Sequence, residues 1–345
     1  MTYIEKINKL LVPQPSEEFL VLDLFAGCGG LALGFEAQGF STHAFEMDKD
    51  CCSTYEKNLR GPCEAVFLTP NSKFPKANVV IGGPPCQPFS VGGKQLGNKD
   101  LRDGMPVFIE AVKQVNPDIW MIENVRGLFY RNKWYLQSIL REMENLEYIV
   151  EEPILLNASD YGVPQNRERV FIIGHRGRFS FPPPIMDRIT VGQALGDLIH
   201  QIPEDAKFLT PNMDKYVEKY EKASHCIRPR DLATERPSRT ITCRNLAGAT
   251  GDMMRIKLPD GRRRRLSLRE AARLQSFPDW FAFTGENSKQ YYQVGNAVPP
   301  MLSFYLAESI RDYLNSDLRF SVEEVRLQNR RTLFDILEED SSINV

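Results

Sequence analysis

FLVLDLFAGCGGLALGF, Phe19–Phe35, is the stretch that decides the fold. An apolar run from Phe19 to Phe25 reads as a buried strand, and it passes through a glycine turn directly into an apolar helix. Gly27, Gly29 and Gly30 let the backbone approach a bound ligand closely, as in a nucleotide-type cofactor loop. Gly27, Gly29 and Ala32 also satisfy the relaxed GxGxxA dinucleotide pattern, and a lone glycine turn of this kind is often only a tight connection.

Working outward, Thr42–Glu46, Asn78–Gly83, Asp118–Asn124 and Arg169–Gly174 are runs of the same buried-strand character. Between them, Met105–Val115 places Val107, Phe108, Ala111, Val112 and Val115 on one helical face, and a second amphipathic segment runs from Lys133 to about Leu146. Strand and helix alternate, so the fold class is α/β: a mostly parallel, Rossmann-like sheet with helices on both faces. The rhythm fails after Gly174, where FPPPI and a polar, turn-rich stretch begin. The division expected from this is a catalytic domain over 1–175, a smaller irregular target-reading domain over 176–294, a helix over 295–318 that returns to the first domain, and a tail over 319–345, read as an accessory helix. A short helix is expected at Ser267–Gln275, and MLSFYLAESIRDYL is helical with Leu302, Tyr305, Leu306, Ile310 and Leu314 inward.

At 345 residues and 42% hydrophobic, the chain can bury a large core. No run of eighteen apolar residues occurs, and MTYIEKINKLL lacks a secretory apolar stretch, so a cytoplasmic protein without a membrane partner is expected. Seven cysteines, without repeated CxxC pairs or zinc-ligand spacing, point to free thiols and no metal. The net charge of -2 conceals a local excess: Cys226–Arg273 holds 13 Lys or Arg against 5 Asp or Glu, as expected where an anionic partner docks.

Several residues stand where chemistry gathers in such sheets. Glu46 ends the second strand, where a carboxylate can accept from both hydroxyls of a ribose or simply face water. GGPPCQPFS holds Cys86 in a loop stiffened by prolines at a strand end, which presents the thiol rather than burying it. Glu123, in IENVRGL, ends another strand and can point into the same cleft. Arg167 and Arg169, in QNRER, are two residues apart and share a face if they start a strand.

In this order and wording, FAGCGG, GGPPCQPFS, ENV, QNRER, RRLSLREAARLQSFP and QVGNAVPP closely resemble the signature blocks of the cytosine-5 DNA methyltransferase family, of the prokaryotic restriction-modification type. The resemblance spans Leu20 to about Leu306 and implies S-adenosylmethionine as cofactor, double-stranded DNA as partner, and a flipped-out cytosine as target. By that likeness Cys86 is the nucleophile at carbon 6, protonated Glu123 donates at ring nitrogen 3, and Arg169, with Arg167 behind it, contacts the base oxygen or the loop. It also implies a cofactor pocket of Phe25, Ala26, Gly27, Cys28, Gly29, Gly30, Glu46, Met47, Pro85, Asn296 and Ala297. DNA contacts are expected from Gln87, Ser90, Arg244 and the run Arg262, Arg263, Arg264 and Arg265, the last four gripping phosphates. The chain departs from the pattern at EAVFLTPNSKFP, where the family usually carries an Asp against the adenine and Phe67, Leu68 or Thr69 stands instead.

Three other readings stay open on the sequence. One branch of the family methylates transfer RNA with the same catalytic residues. The glycine turn with Glu46 alone would suit a dinucleotide-dependent oxidoreductase, and a catalytically silent DNA-binding module would keep the fold. A monomer is expected, and the sequence leaves open whether a cognate restriction endonuclease is encoded separately.

Overall fold

The computed structural model describes residues 1–85, 103–128, 133–185, 188–223, 225, 231–247, 252–316, 320, 321, 323–325 and 327. Its centre is a sheet of β1 (Leu20–Leu24), β2 (Ser41–Glu46), β3 (Cys63–Ala65), β4 (Val79–Gly82) and β5 (Ile119–Val125), all parallel and ordered β3-β2-β1-β4-β5. Beyond β5 the direction reverses. β8 (Glu168–His175) runs antiparallel to it and is itself paired by β6 (Ile149–Val150) and β7 (Ile154–Asn157). The sheet is therefore mostly parallel, as expected, with an antiparallel margin.

Unbroken apolar runs give these strands because both faces are covered. Val21, Val79, Ile81, Ile119 and Met121 meet one apolar cluster, while Leu22, Leu24, Val80, Trp120 and Ile122 meet another. The first face carries α1 (Tyr3–Leu10), capped by Thr2 and Glu5, and α2 (Gly30–Ala37). The second is covered by α4 (Met105–Val115) and α5 (Lys133–Asn145), while α3 (Lys49–Asn58) links β2 to β3.

The remaining helices are α6 (Val191–Leu195), α7 (Pro211–Ala223), α8 (Cys243–Ala247), α9 (Leu268–Leu274), α10 (Asn287–Asn296) and α11 (Pro300–Asn315). The last is the returning helix, with Leu302, Leu306, Ile310, Tyr313 and Leu314 buried and Tyr305 partly so. It lies so close on α2 that a Cβ at Gly34 would stand 2.4 Å from the Phe304 backbone nitrogen, so only glycine fits there. Among the described residues no helix is long and apolar enough to cross a membrane.

The boundary expected near 176 does not divide two cores. Val191, Ala194, Ile241, Met254, Leu274, Phe277 and Phe281 belong to the same cluster as Leu31, Ala32 and Val21. Thr284 and Ala282 bond to Thr54 and Asn58 on α3, and Asp279 to Asn8, so the chain from about α9 onward is fastened to the sheet domain. A separate apolar nucleus is confined to Leu209, Val217 and Met253, with Met213 against it. It sits beside the two-stranded ribbon of β9 (Arg255–Lys257) and β10 (Arg263–Arg265).

Candidate active site

The strand order reverses between β1 and β4, and ligands of open α/β sheets collect beyond the carboxyl ends at such a point. Leu24 is in register with Phe45 on β2 and Gly82 on β4, and Gly82 with Ile122 on β5. The glycine turn, Glu46, Gly83-Pro84-Pro85 and Glu123 thus stand together along one edge.

The turn needs its glycines. Phe25, Gly27 and Gly29 have φ of 62°, 56° and 87°, and a Cβ at Gly29 would come within 2.7 Å of Leu59 and 2.8 Å of Tyr55. At Gly30 it would lie 2.5 Å from the Val298 carbonyl oxygen and 3.1 Å from the Ala297 side chain. That contact brings Ala297, just past the end of α10, onto the glycine turn, while the neighbouring Asn296 accepts from the Cys243 thiol at 2.9 Å. Gly27, by contrast, faces open space.

Glu46 holds the turn: its Oε2 accepts from the Gly27 N–H at 2.9 Å and its Oε1 from the Asp48 N–H at 2.8 Å. Beneath it, Asp23 is fully buried with neither carboxyl oxygen bonded to a protein donor. Burial, and then the nearby Glu46, push its carboxyl well above the usual range. The Glu46 carboxylate at the foot of a bare-backbone turn suits a cofactor carrying a ribose, as S-adenosylmethionine does, and Asp23 beneath it is a buried carboxyl held toward its neutral form.

Met47 (66% exposed) and Phe67 (59%) stand open at this edge, whereas Leu68 is buried. The nearby Glu64 is no substitute for the missing Asp, since its carboxylate is bound to His43 at 2.7 Å. Cys28 differs from expectation: its side chain is buried, its thiol donates to the Gln293 carbonyl at 3.7 Å, and burial pushes its pKa to about 12. Only its backbone faces the turn.

Cys86, Gln87 and Ser90 lie outside the described residues; the two ends of their loop do not. The Pro84 carbonyl accepts from Asn124 Nδ2 at 3.0 Å, and the Pro85 carbonyl from the Gly104 N–H at 2.9 Å. A Cβ on Gly83 would touch Glu123 Oε2 at 3.3 Å, so the Glu123 carboxylate lies over the first residue of the proline loop. Arg169 Nε pairs with Glu123 Oε1 at 3.0 Å, because the β5–β8 register sets Arg169 opposite Val125.

Arg167, expected behind Arg169, lies in the protein interior. It is buried, with Nη1 on the Ile241 carbonyl at 2.7 Å and both Nη atoms 3.4 Å from the Gly295 carbonyl. Burial, and then the neighbouring Arg169, lower its pKa to about 9. It ties β8 to the segments before α8 and at the end of α10, and is a positioning residue rather than a base contact.

Two residues passed unremarked in the sequence. Asn124 anchors the proline loop, and its place beside Glu123 in ENV was the available signal. Gln165, fully buried, donates to the Leu274 carbonyl at 3.2 Å and to Gln275, and accepts from the Ile241 N–H at 2.8 Å. Its importance lies in partners 76 to 110 positions away, which sequence does not display.

The arginine run is corrected by its partners. Arg264 is wholly buried and forms a two-pronged pair with Glu270, both contacts within 2.8 Å. Arg263 binds Asp231 at 2.9 Å and Asp214 at 3.2 Å, and Arg262 binds Asp260 at 2.8 Å. Arg264 and Arg263 are thus held inward by carboxylates of the protein, whereas Arg262 keeps an exposed surface pair and Arg265 alone of the four makes no ion pair among the described residues. Exposed Arg244 stands 3.5 Å from Asp252. Glu270 also caps α9 with Ser267, so Arg264→Met would strand a buried carboxylate. That variant is expected to lose about 3–5 kcal/mol in urea unfolding, whereas a surface pair would cost under about 1 kcal/mol.

A family model described as C-5 cytosine-specific DNA methylase matches residues 19–312. The chain is similar to Type II methyltransferase M.AplI of Arthrospira platensis, 51% identical over 297 residues covering 85% of this chain and 86% of that protein. Type II methyltransferase M.FnuDI of Fusobacterium nucleatum is 35% identical, covering 91% and 99%. Among solved structures, a Spodoptera frugiperda DNMT2 mutant shares the fold with a TM-score of 0.63 at 19% identity, covering 85% of this chain and 100% of its own.

Proposed function

This chain belongs to the C-5 cytosine-specific DNA methylase family, and we propose a division of labour in its cleft that accounts for that activity. The protein is a DNA cytosine-5 methyltransferase that uses S-adenosylmethionine. When bound, that cofactor supplies an electrophilic methyl group. Glu46 holds the ribose and supplies negative potential, and Phe25, Met47 and Pro85 give apolar walls, while Ala297 closes the pocket over Gly30 with Asn296 beside it.

Carbon 5 of cytosine is a poor nucleophile. Addition of the Cys86 thiolate to carbon 6, with a proton delivered from Glu123 to ring nitrogen 3, makes carbon 5 enamine-like. After transfer a solvent water takes the carbon 5 proton, the sulfur–carbon bond breaks to restore the thiolate, and ring nitrogen 3 returns its proton to the Glu123 carboxylate. Arg169 fixes Glu123, Asn124 fixes the loop, and Arg167 fixes the strand that carries Arg169. The base must leave the duplex first, at roughly a few kcal/mol for lost stacking and pairing, which contacts to DNA offset. Gln87, Ser90, Arg244 and Arg265 are the proposed contributors from the earlier set.

The observation that carries this reading is the Glu123 carboxylate seated over Gly83 at the head of the proline loop, beside the cofactor turn. The test is nucleoside analysis after incubation with S-adenosylmethionine and either duplex DNA or transfer RNA. 5-Methylcytosine is expected in a fixed sequence context of the duplex alone; methylated RNA with unmodified DNA would overturn the reading. We further propose a cytoplasmic monomer, since one strand needs one site, with a cognate restriction endonuclease as a separate protein.

Glu46→Ala is expected to weaken binding of S-adenosylhomocysteine roughly 10- to 100-fold in calorimetry, the worth of hydrogen bonds to a charged group plus a loosened turn. Unchanged affinity would remove Glu46 from the pocket.

A further inference from the structure

Arg255 and Arg263 are spent on acids of the protein itself, and their pairing turns two of the three acids of α7, Asp214 and Glu221, away from its outer face. Asp214 accepts from Arg263 at 3.2 Å and Glu221 from Arg255 at 3.0 Å, both turned toward the β9–β10 ribbon. Val217 is buried on that inner side against Leu209 and Met253. The outer side keeps its lysines: Lys215, Lys219 and Lys222 are all exposed and line one shallow depression with Glu218 and Ala223. Among the described residues none of the three ammonium groups makes an ion pair, and neither does Glu218.

Their spacing of i, i+4 and i+7 is a single helical stripe about 10 Å long. Like charges at that spacing disfavour a helix by a few tenths of a kcal/mol, a cost that an anionic partner removes. Successive phosphates on one strand of duplex DNA, about 3.4 Å apart along the axis, lie roughly twice as far apart along the strand itself, so a 10 Å stripe reaches about two of them. Tyr216 and Tyr220, stacked at 6.5 Å and 19°, stand exposed beside the lysines as an amphipathic surface for the sugars.

We propose that α7 lays Lys215, Lys219 and Lys222 along the phosphate backbone of the duplex, as the main sequence-independent grip in place of the arginine run. The proposal rests on the reading of duplex DNA as substrate. The ribbon gives the helix a fixed seat: Arg255 and Arg263 both bind Asp231, at 2.9 Å each, while reaching Glu221 and Asp214 of α7.

The experiment is fluorescence anisotropy of a cognate duplex with S-adenosylhomocysteine present, between 50 and 300 mM salt, for the wild type, each lysine-to-glutamine variant and the triple variant. The logarithm of the association constant should fall less steeply with the logarithm of salt by about 0.9 per phosphate contact removed, and by about 1.8 in the triple variant. Affinity of the triple variant at 100 mM salt should drop roughly 10- to 100-fold. A wild type that binds with slopes unaltered in the single and triple variants overturns the proposal. So does weaker binding without a change of slope, which marks a structural defect. A wild type that binds no duplex at all instead defeats the DNA reading beneath it.

Discussion

Cys86→Ser is expected to lower methyl transfer by at least about 10³-fold while leaving cofactor and DNA affinity near wild type. Addition to carbon 6 needs a nucleophile that is anionic near neutral pH and also a competent leaving group. A thiolate is both; a serine hydroxyl, far less acidic, is neither. The described ends of the loop explain why binding should survive. Asn124 and Gly104 hold the Pro84 and Pro85 carbonyls, and neither contact involves the Cys86 side chain. Single-turnover transfer of labelled methyl, beside calorimetry with S-adenosylhomocysteine, separates the two. Turnover within tenfold of wild type would exclude the assignment.

Glu123→Gln is expected to cut kcat by about 10²–10⁴-fold, the range for a positioned proton donor, with little change in KM for the cofactor. The amide preserves the size of the group over Gly83 but cannot give up a proton at ring nitrogen 3, and it loses its charge against Arg169. Arg169→Lys tests the other half: it keeps a positive charge but lacks the planar fork, so it should lose less activity than Glu123→Gln. A Glu123→Gln enzyme with unchanged kcat would leave Arg169 holding a merely structural acid.

Much of this site was legible in the sequence because it is built from turns, and turns are written locally. Gly29 and Gly30 have no room for a Cβ, and the Pro84 and Pro85 carbonyls are held by Asn124 and Gly104, so the residue types themselves disclose the geometry. Strand positions were equally plain, since both faces of the sheet are covered. The same covering hid direction: Arg169–Gly174 has the apolar run of a parallel strand yet runs antiparallel to β5.

What local reading missed was partnership at a distance. RRRR has the composition of a phosphate grip, but its carboxylates are Asp214, Asp231, Asp260 and Glu270, brought up by the fold. The proline-rich stretch after 176 suggested a separate domain, yet Val191 and Phe277 share a core with α2. Helix α7 escaped notice because Val217 is its only buried residue.

The most direct test of the covalent reading uses duplex DNA with 5-fluorocytosine at the target position, incubated with S-adenosylmethionine. Fluorine at carbon 5 cannot leave as a proton does, so elimination is blocked and the sulfur–carbon bond should persist through denaturation. Peptide mapping is predicted to place the adduct on Cys86, with Cys86→Ser giving none. A folded wild-type protein that methylates unsubstituted DNA yet forms no such adduct, or forms it on another residue, would contradict the account.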